Sequence, residues 1–128
     1  MKHPIAMSLM LGLSFLLIAC TETKGPLNLG SGADERAVEA NALGRAHYNL
    51  GDEEYGHWYA AKDYFEDAVK IDPALAEAHY NLALTLDQLG EHGEATAHFK
   101  KAAELAPGNR AITGSEAYRR HVGQSQQS

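Results

Sequence analysis

Histidine is the side chain in this sequence best suited to chemistry, because it can ligate a metal or carry a proton near neutral pH. Six of the seven histidines follow Cys20: His47, His57, His79, His92, His98 and His121. A metal site on one helix needs two histidines four residues apart, or a tight cluster with carboxylates. The nearest two in sequence, His92 and His98, are six residues apart and lie on different helix faces. We therefore predict half-buried packing histidines, with no metal ligands and no cofactor. A cation held by Glu91, His92 and Glu94 is a remote alternative.

No other group of residues indicates catalysis. The acidic run at residues 52–54 is typical of a solvated helix end rather than of an acid–base pair. Gly108 and Asn109 form a turn dipeptide and not a phosphate-binding loop. Since no nucleophile–base arrangement is present either, we predict no catalytic residues. The expected class is a binding module and not an enzyme.

Cys20 is the only cysteine, and it follows an uncharged apolar run at residues 5–18. A start carrying Lys2 and then a run too short to span a bilayer are typical of a secretory signal peptide. The tetrapeptide Leu17-Ile18-Ala19-Cys20 resembles the lipobox of bacterial lipoproteins. That resemblance implies cleavage before Cys20 and lipidation of Cys20, which would hold the protein on a membrane. The alternative is a buried cysteine at the end of an ordinary N-terminal helix.

Removal of the signal peptide, residues 1–19, leaves enough chain for one small domain. Without Lys2, ten basic residues face seventeen acidic ones, a balance that argues against a nucleic-acid partner. Residues 20–32 are rich in Gly, Pro, Ser, Thr and Asn, which predicts a flexible tether with a reach of roughly 20 Å. The polar residues 123–128 are predicted to be a disordered tail.

An internal repeat organises the rest of the chain. Four residues recur at an offset of 34: Ala61, Phe65, Ala68 and Pro73 as Ala95, Phe99, Ala102 and Pro107. This pattern closely resembles the tetratricopeptide repeat, a helix-turn-helix unit of about 34 residues. We expect a domain over residues 33–122, with repeat one at about 44–75, repeat two at 76–109 and a capping helix at about 110–122.

The resemblance implies an all-α fold, an antiparallel helix-turn-helix stack that forms a fragment of a right-handed superhelix. Leu82, Ala83 and Leu86 share one helix face, and Gly90 supplies the turn that follows. Repeat one lacks two residues between Gly51 and Gly56. A longer first helix would compensate, and we predict it from about Asp34 into the low fifties. Its apolar residues recur every four positions: Val38, Ala42, Ala46 and Leu50.

The family uses the concave surface, formed by the first helix of each repeat, to bind partners. Transfer of these positions selects eight candidate residues: Tyr48, Asn49, Glu77, Tyr80, Asn81, Leu84, Asp87 and Gln88. Asn49 and Asn81 could bond a peptide backbone, although both are also ordinary consensus residues of the family. Since the face has Glu77 and Asp87 but no Lys or Arg, we expect a neutral or basic partner.

Together these features predict a membrane-anchored adaptor that mediates protein–protein interaction in the bacterial cell envelope, in assembly of an envelope complex. Its partner would be an envelope protein or peptide. Cys20 is followed by Thr21 and not by Asp. In this the sequence resembles the lipoproteins that are sent to the outer membrane, so we expect its periplasmic face rather than the inner membrane. A self-associating structural lipoprotein, a homo-oligomer, is the main alternative, and a metal-binding envelope protein is the remote one.

Overall fold

The structure is a computed structural model that describes residues 25–123, and in this range all regular secondary structure is helical. The helices are α1 (Glu35–Leu50), α2 (Gly56–Ile71), α3 (Ala76–Gln88), α4 (His92–Leu105), α5 (Arg110–Thr113) and α6 (Glu116–Val122). Helix α1 packs on α2 and α3 packs on α4 as two hairpins, while α2 also packs on α3. The predicted all-α stack is therefore confirmed. No helix among residues 25–123 has the length and apolar character needed to cross a membrane.

The predictions for the signal peptide, the lipobox and Cys20 lie outside the described residues, as does the tail from residue 124 onward. They therefore stay predictions.

Helix α3 forms the centre of the fold. Ten of its thirteen residues are buried, because α4 covers one side of it and α2 and the N-terminal segment cover others. Phe99 of α4 is fully buried against Tyr80 of α3, with ring centroids 5.7 Å apart in an edge-to-face arrangement. The turn between these helices needs Gly90, whose φ of 78° lies in the left-handed region that favours glycine.

Helix α1 buries a different face from the one that its apolar residues suggest. Val38 and Leu50, from the stripe spaced by four, are 45% and 42% exposed. The buried residues are instead small or polar: Ala37, Ala40, Asn41 and Gly44. A Cβ on Gly44 would lie only 2.7 Å from the ring of Phe65, so the missing side chain lets α1 approach α2 closely. Close packing through small residues therefore decides which face is buried, and the apolar stripe remains outside.

The first helix also ends slightly earlier than predicted. Asp34 caps its start by accepting a hydrogen bond from the backbone N–H of Arg36 at 2.9 Å. It ends at Leu50, before the low fifties, and the indole of Trp58 lies directly over the backbone of Gly51. The chain then turns through residues 52–55 into α2, which is how the shorter first repeat is accommodated.

The predicted capping helix is two short helices, α5 and α6. Its break falls at Gly114 and Ser115, where the Ser115 side chain accepts a hydrogen bond from the Tyr118 N–H at 3.1 Å and starts α6. Ile112 of α5 and Val122 of α6 are both buried in the main core. The two pieces thus cover the end of the stack by bending around it.

Candidate functional site

A groove of about 260 Å³ opens between α3 and the two capping helices. Its walls are Tyr48, Tyr80, Leu84, Asp87, Gln88, Arg110, Ala111, Gly114, Ser115, Glu116, Ala117 and Arg120. Five of the eight candidate residues from the sequence therefore line one surface. Four of these five are on α3, at spacings of three and four that place them on one side of the helix.

The other three candidates lie elsewhere. Glu77 accepts a hydrogen bond from the Asn109 amide at 3.2 Å, which ties the start of α3 to the start of α5. Asn49 is exposed near the end of α1 and does not line the groove. Asn81 is completely buried, and it binds a segment of this same chain.

Asn81 grips the backbone of Leu27 through both ends of its amide. The Leu27 N–H donates to Asn81 Oδ1 at 2.6 Å, and Asn81 Nδ2 donates to the Leu27 carbonyl at 2.8 Å. Asn41 of α1 donates to the same carbonyl at 3.1 Å and accepts from Asn81 at 2.6 Å. Two buried asparagines thus satisfy both polar groups of one peptide residue, as a neighbouring β-strand would.

Asn41, and not Asn49, is therefore the partner of Asn81. Sequence reasoning overlooked it because Asn49 holds the position equivalent to Asn81 in the first repeat. One signal was available: Asn41 shares the small-residue face of α1, since Ala37 lies four residues before it and Gly44 three residues after it.

The segment at residues 26–29 lies against the domain, contrary to the flexible tether predicted for residues 20–32. Arg45 donates to the Pro26 carbonyl at 3.2 Å and also hydrogen-bonds the side chain of Asn28. Leu27 packs against the main core, and Leu29 packs against a second cluster formed by α1, α2 and α3. The composition of residues 20–32 predicted a flexible segment because Gly, Pro, Ser, Thr and Asn are frequent in it. Leu27 and Leu29 nevertheless hold residues 26–29 in place, because both pack on the domain and Leu27 also hydrogen-bonds to Asn81.

Both signs of charge line the groove, contrary to the prediction of an acidic face without Lys or Arg. Arg110 and Arg120 come from the capping helices, whereas the eight candidate residues all belong to α1 and α3. Arg120 Nη2 lies 3.3 Å from Asp87 Oδ2, so the acidic group predicted to select a basic partner is already paired. The surface consequently suits an uncharged ligand at least as well as a basic one.

The two tyrosines of the groove remain protonated at neutral pH. Burial is the main cause that raises the pKa of both Tyr48 and Tyr80 above the usual phenol range. Gln88 Nε2 donates to the Tyr48 hydroxyl oxygen at 3.4 Å, a contact that opposes part of the rise in the Tyr48 pKa. Tyr48 can therefore donate its own proton to a ligand carbonyl.

The comparison with known families bears on this hairpin and its groove. Residues 76–109 match the family model of the tetratricopeptide repeat. The match covers 34 of the 128 residues, so the similarity is to one repeat unit. It comprises α3 and α4 with their connections, and it supplies four of the residues that line the groove. No solved structure matches the chain. Proteins built from this repeat are generally scaffolds and not enzymes.

The histidines of the tetratricopeptide repeat form contacts that the sequence spacing did not reveal. His79 and His98 stack inside the α3–α4 hairpin, with their Nδ1 atoms 2.9 Å apart. His92 and His121 both approach Asp87, which makes a cluster with metal-binding potential that the prediction of no metal ligands overlooked. Three separate elements supply this cluster, so no spacing along the chain could show it.

The environment of His98 disfavours its protonated form. Burial is the main cause that lowers the pKa of His98, and the neighbouring His79 adds to it, while Glu94 opposes it. His79 Nε2 lies 2.7 Å from the Pro73 carbonyl and must donate to it, so its Nδ1 accepts a hydrogen bond from His98 Nδ1–H. A second proton on His98 would place a charge in this enclosed position.

We therefore expect the contribution of His98 to the free energy of unfolding to be fully present above pH about 6.5, where histidine in the unfolded chain is neutral. The free energy of unfolding should fall as the pH drops from there toward the lower pKa of His98 in the folded protein. His98→Gln keeps a donor for His79 but does not titrate. Urea unfolding at pH about 7.5 and about 5.5 should show a smaller loss of stability on acidification in the variant than in the wild type. Equal losses in the two proteins would mean that His98 does not cause the effect.

Proposed function

We propose that this protein is a lipid-anchored adaptor of the bacterial cell envelope whose groove binds an extended segment of a partner protein. The tetratricopeptide repeat supports the general role, since such repeats mediate protein–protein interaction. The observation that carries the proposal is the grip of Asn81 and Asn41 on the Leu27 backbone. A side chain that already satisfies both polar groups of an extended residue is suited to recognising polypeptide.

The groove lies on the same helix as Asn81, although Asn81 itself does not line it. Leu84 and Gln88 lie three and seven residues after Asn81, on the same side of the helix. Leu84 and Tyr80 offer apolar contact, and Tyr48 offers a hydrogen-bond donor. Asp87 and Arg120 neutralise each other. These features favour an uncharged segment with an apolar side chain.

The position of the anchor supports the same arrangement. Cys20 stands five residues before Gly25, and residues 26–29 run against the inner helices. A lipid on Cys20 would therefore hold the concave side of the domain close to the membrane. The lipobox-like sequence and Thr21 support attachment to the periplasmic face of the outer membrane, where the partner would be another envelope protein.

Site-specific photo-crosslinking in bacterial cells tests this proposal. A photoreactive amino acid replaces Gln88, which is exposed in the groove, and in a control chain it replaces Lys100, which is exposed on α4 and absent from the groove. We expect a discrete adduct with one envelope protein from position 88 and not from position 100. Combination with Cys20→Ser should move the chain out of the membrane fraction and reduce the adduct. Equal adducts at the two positions, or none, would refute the adaptor role.

Self-association is a second candidate because several large apolar side chains of α1 and α2 are exposed. Val38, Leu43 and Leu50 on α1 are 41–45% exposed, and Tyr55 and Tyr59 are exposed near the start of α2. Solenoid ends that lack a polar outer face need covering. In the crosslinking experiment, an adduct with twice the mass of the chain would favour this candidate over the adaptor.

A further inference from the structure

Three metal-binding side chains converge beside the groove from three different elements. Asp87 lies near the end of α3, His92 begins α4, and His121 lies near the end of α6. Asp87 Oδ1 is 3.0 Å from His92 Nδ1 and 2.9 Å from His121 Nε2. All three ligand atoms lie within 4.8 Å of one another.

We propose that Asp87, His92 and His121 bind a zinc ion. Zinc takes imidazole nitrogen and carboxylate oxygen at about 2.0–2.2 Å, which puts the atoms of a tetrahedral site about 3.3 Å apart. The two measured separations of 2.9 and 3.0 Å are close to that value. Small rotations of the side chains around a central ion would therefore be enough to form the site.

The surroundings of His121 prepare its ring for a metal. The Thr96 hydroxyl donates to the backbone carbonyl of His92 at 2.8 Å, so its oxygen is left to accept from His121 Nδ1–H at 3.1 Å. This hydrogen bond allows the His121 tautomer whose Nε2 lone pair faces Asp87. Metal-ligating histidines commonly have such an outer hydrogen bond, which fixes the tautomer and the ring orientation. Phe99 holds the other side of the ring, with centroids 5.1 Å apart.

The three ligands differ in how much solvent they meet, because the fold largely shields two of them and leaves one exposed. The side chains of His121 and Asp87 are only 8% and 14% exposed, whereas that of His92 is 66% exposed. Arg120 takes the other carboxylate oxygen, Oδ2, and leaves Oδ1 for the metal. The cleft above the cluster opens to solvent, so water can complete the coordination. Three protein ligands with one open position is a common zinc arrangement.

Such a zinc ion would join the tetratricopeptide repeat to the capping helix α6. Without it, His92, His121 and Arg120 all depend on the single carboxylate of Asp87. With it, the connection between α3, α4 and α6 becomes a set of coordinate bonds. The proposal stands on this cluster alone and does not depend on what the groove binds.

Calorimetric titration of the purified full chain with zinc chloride tests the site. We expect one zinc ion per chain and a melting temperature raised by about 10 °C when free zinc is a hundred times the dissociation constant. His92→Ala removes the exposed ligand, so this variant should fold, and it should bind zinc at least about tenfold more weakly. His57→Ala, a histidine outside the cluster, should bind zinc like the wild type.

The visible absorption of bound cobalt(II) tests the coordination of the site directly. Cobalt(II) in place of zinc should give the visible absorption of a four-coordinate site in the wild type, and Asp87→Asn should weaken that signal. The proposal is refuted by any of three results: no zinc binding by the wild type, unchanged binding in His92→Ala, or equal weakening in His92→Ala and His57→Ala.

Discussion

Asn81→Ala is expected to release residues 26–29 from the concave face and to lower the free energy of unfolding by about 2–3 kcal/mol. The substitution removes both hydrogen bonds to Leu27 and the one to Asn41. It also leaves the Leu27 N–H and the side-chain oxygen Oδ1 of Asn41 without these partners, and a buried polar group without a partner costs about 1–3 kcal/mol. The loss therefore exceeds that of an ordinary hydrogen bond.

Two measurements separate the local effect from the global one. Urea unfolding gives the change in stability, and hydrogen exchange of the Leu27 amide reports whether the segment has left Asn81. We expect exchange at Leu27 to become fast in the variant while amides in the middle of α3 stay protected.

Asn49→Ala is the matched control, because Asn49 holds the equivalent position in the first repeat but is exposed. A surface substitution of this kind changes stability by no more than about 0.5 kcal/mol. If Asn49→Ala destabilised the protein as much as Asn81→Ala, or if Leu27 stayed protected without Asn81, the grip would not be what holds the segment.

Phe99→Ala is expected to cost about 3–5 kcal/mol, the usual range for a phenylalanine removed from a core. Phe99 is fully buried and contacts Tyr80 of α3 and His121 of α6, so it joins the repeat to the capping helix. Since whole small domains are stable by about 5–15 kcal/mol, this single change removes a large share. We expect α6 to lose protection from hydrogen exchange before α3 does.

Phe99→Leu refills most of the space and should cost about 1–2 kcal/mol, so the series remains measurable if the alanine variant does not fold. Tyr59→Ala serves as the control, because Tyr59 is 53% exposed. Urea midpoints that fall in the order wild type, Tyr59→Ala, Phe99→Leu, Phe99→Ala are expected. A Phe99→Ala midpoint equal to that of Tyr59→Ala would show that the Phe99 ring does not make the expected contribution to the stability of this core.

Much of the second repeat could be predicted from the sequence because its pattern is local. The face of Leu82, Ala83 and Leu86 and the positive φ of Gly90 follow from helical spacing and turn chemistry. The same reasoning placed Tyr80, Leu84 and Asp87 on one surface, and the structure has them there. These residues lie within one hairpin, so few long-range contacts decide their positions.

The features that sequence reasoning overlooked all depend on contacts between distant segments. Leu27 meets Asn81 across 54 residues, and His121 meets Asp87 across 34. The buried face of α1 does not follow from its apolar residues, because Gly44 packs closely against Phe65 and a hydrophobic pattern does not record the advantage of a missing side chain. Periodicity tells which residues share a face, but not which face a distant partner will cover.

The hydrogen bonds of residues 26–29 would set how far the domain can move from the proposed anchor at Cys20. With Cys20 lipidated as proposed, about six peptide units separate it from Pro26, a fully extended length of about 22 Å, against a fully extended length of about 43 Å if the chain were free to residue 32. The accessible volume shrinks about tenfold, and the effective concentration toward a neighbour in the same membrane rises by a similar factor. A partner that displaced Leu27 from Asn81 would lengthen the connection to Cys20 again. Binding of that partner would then let the domain move farther from the bilayer.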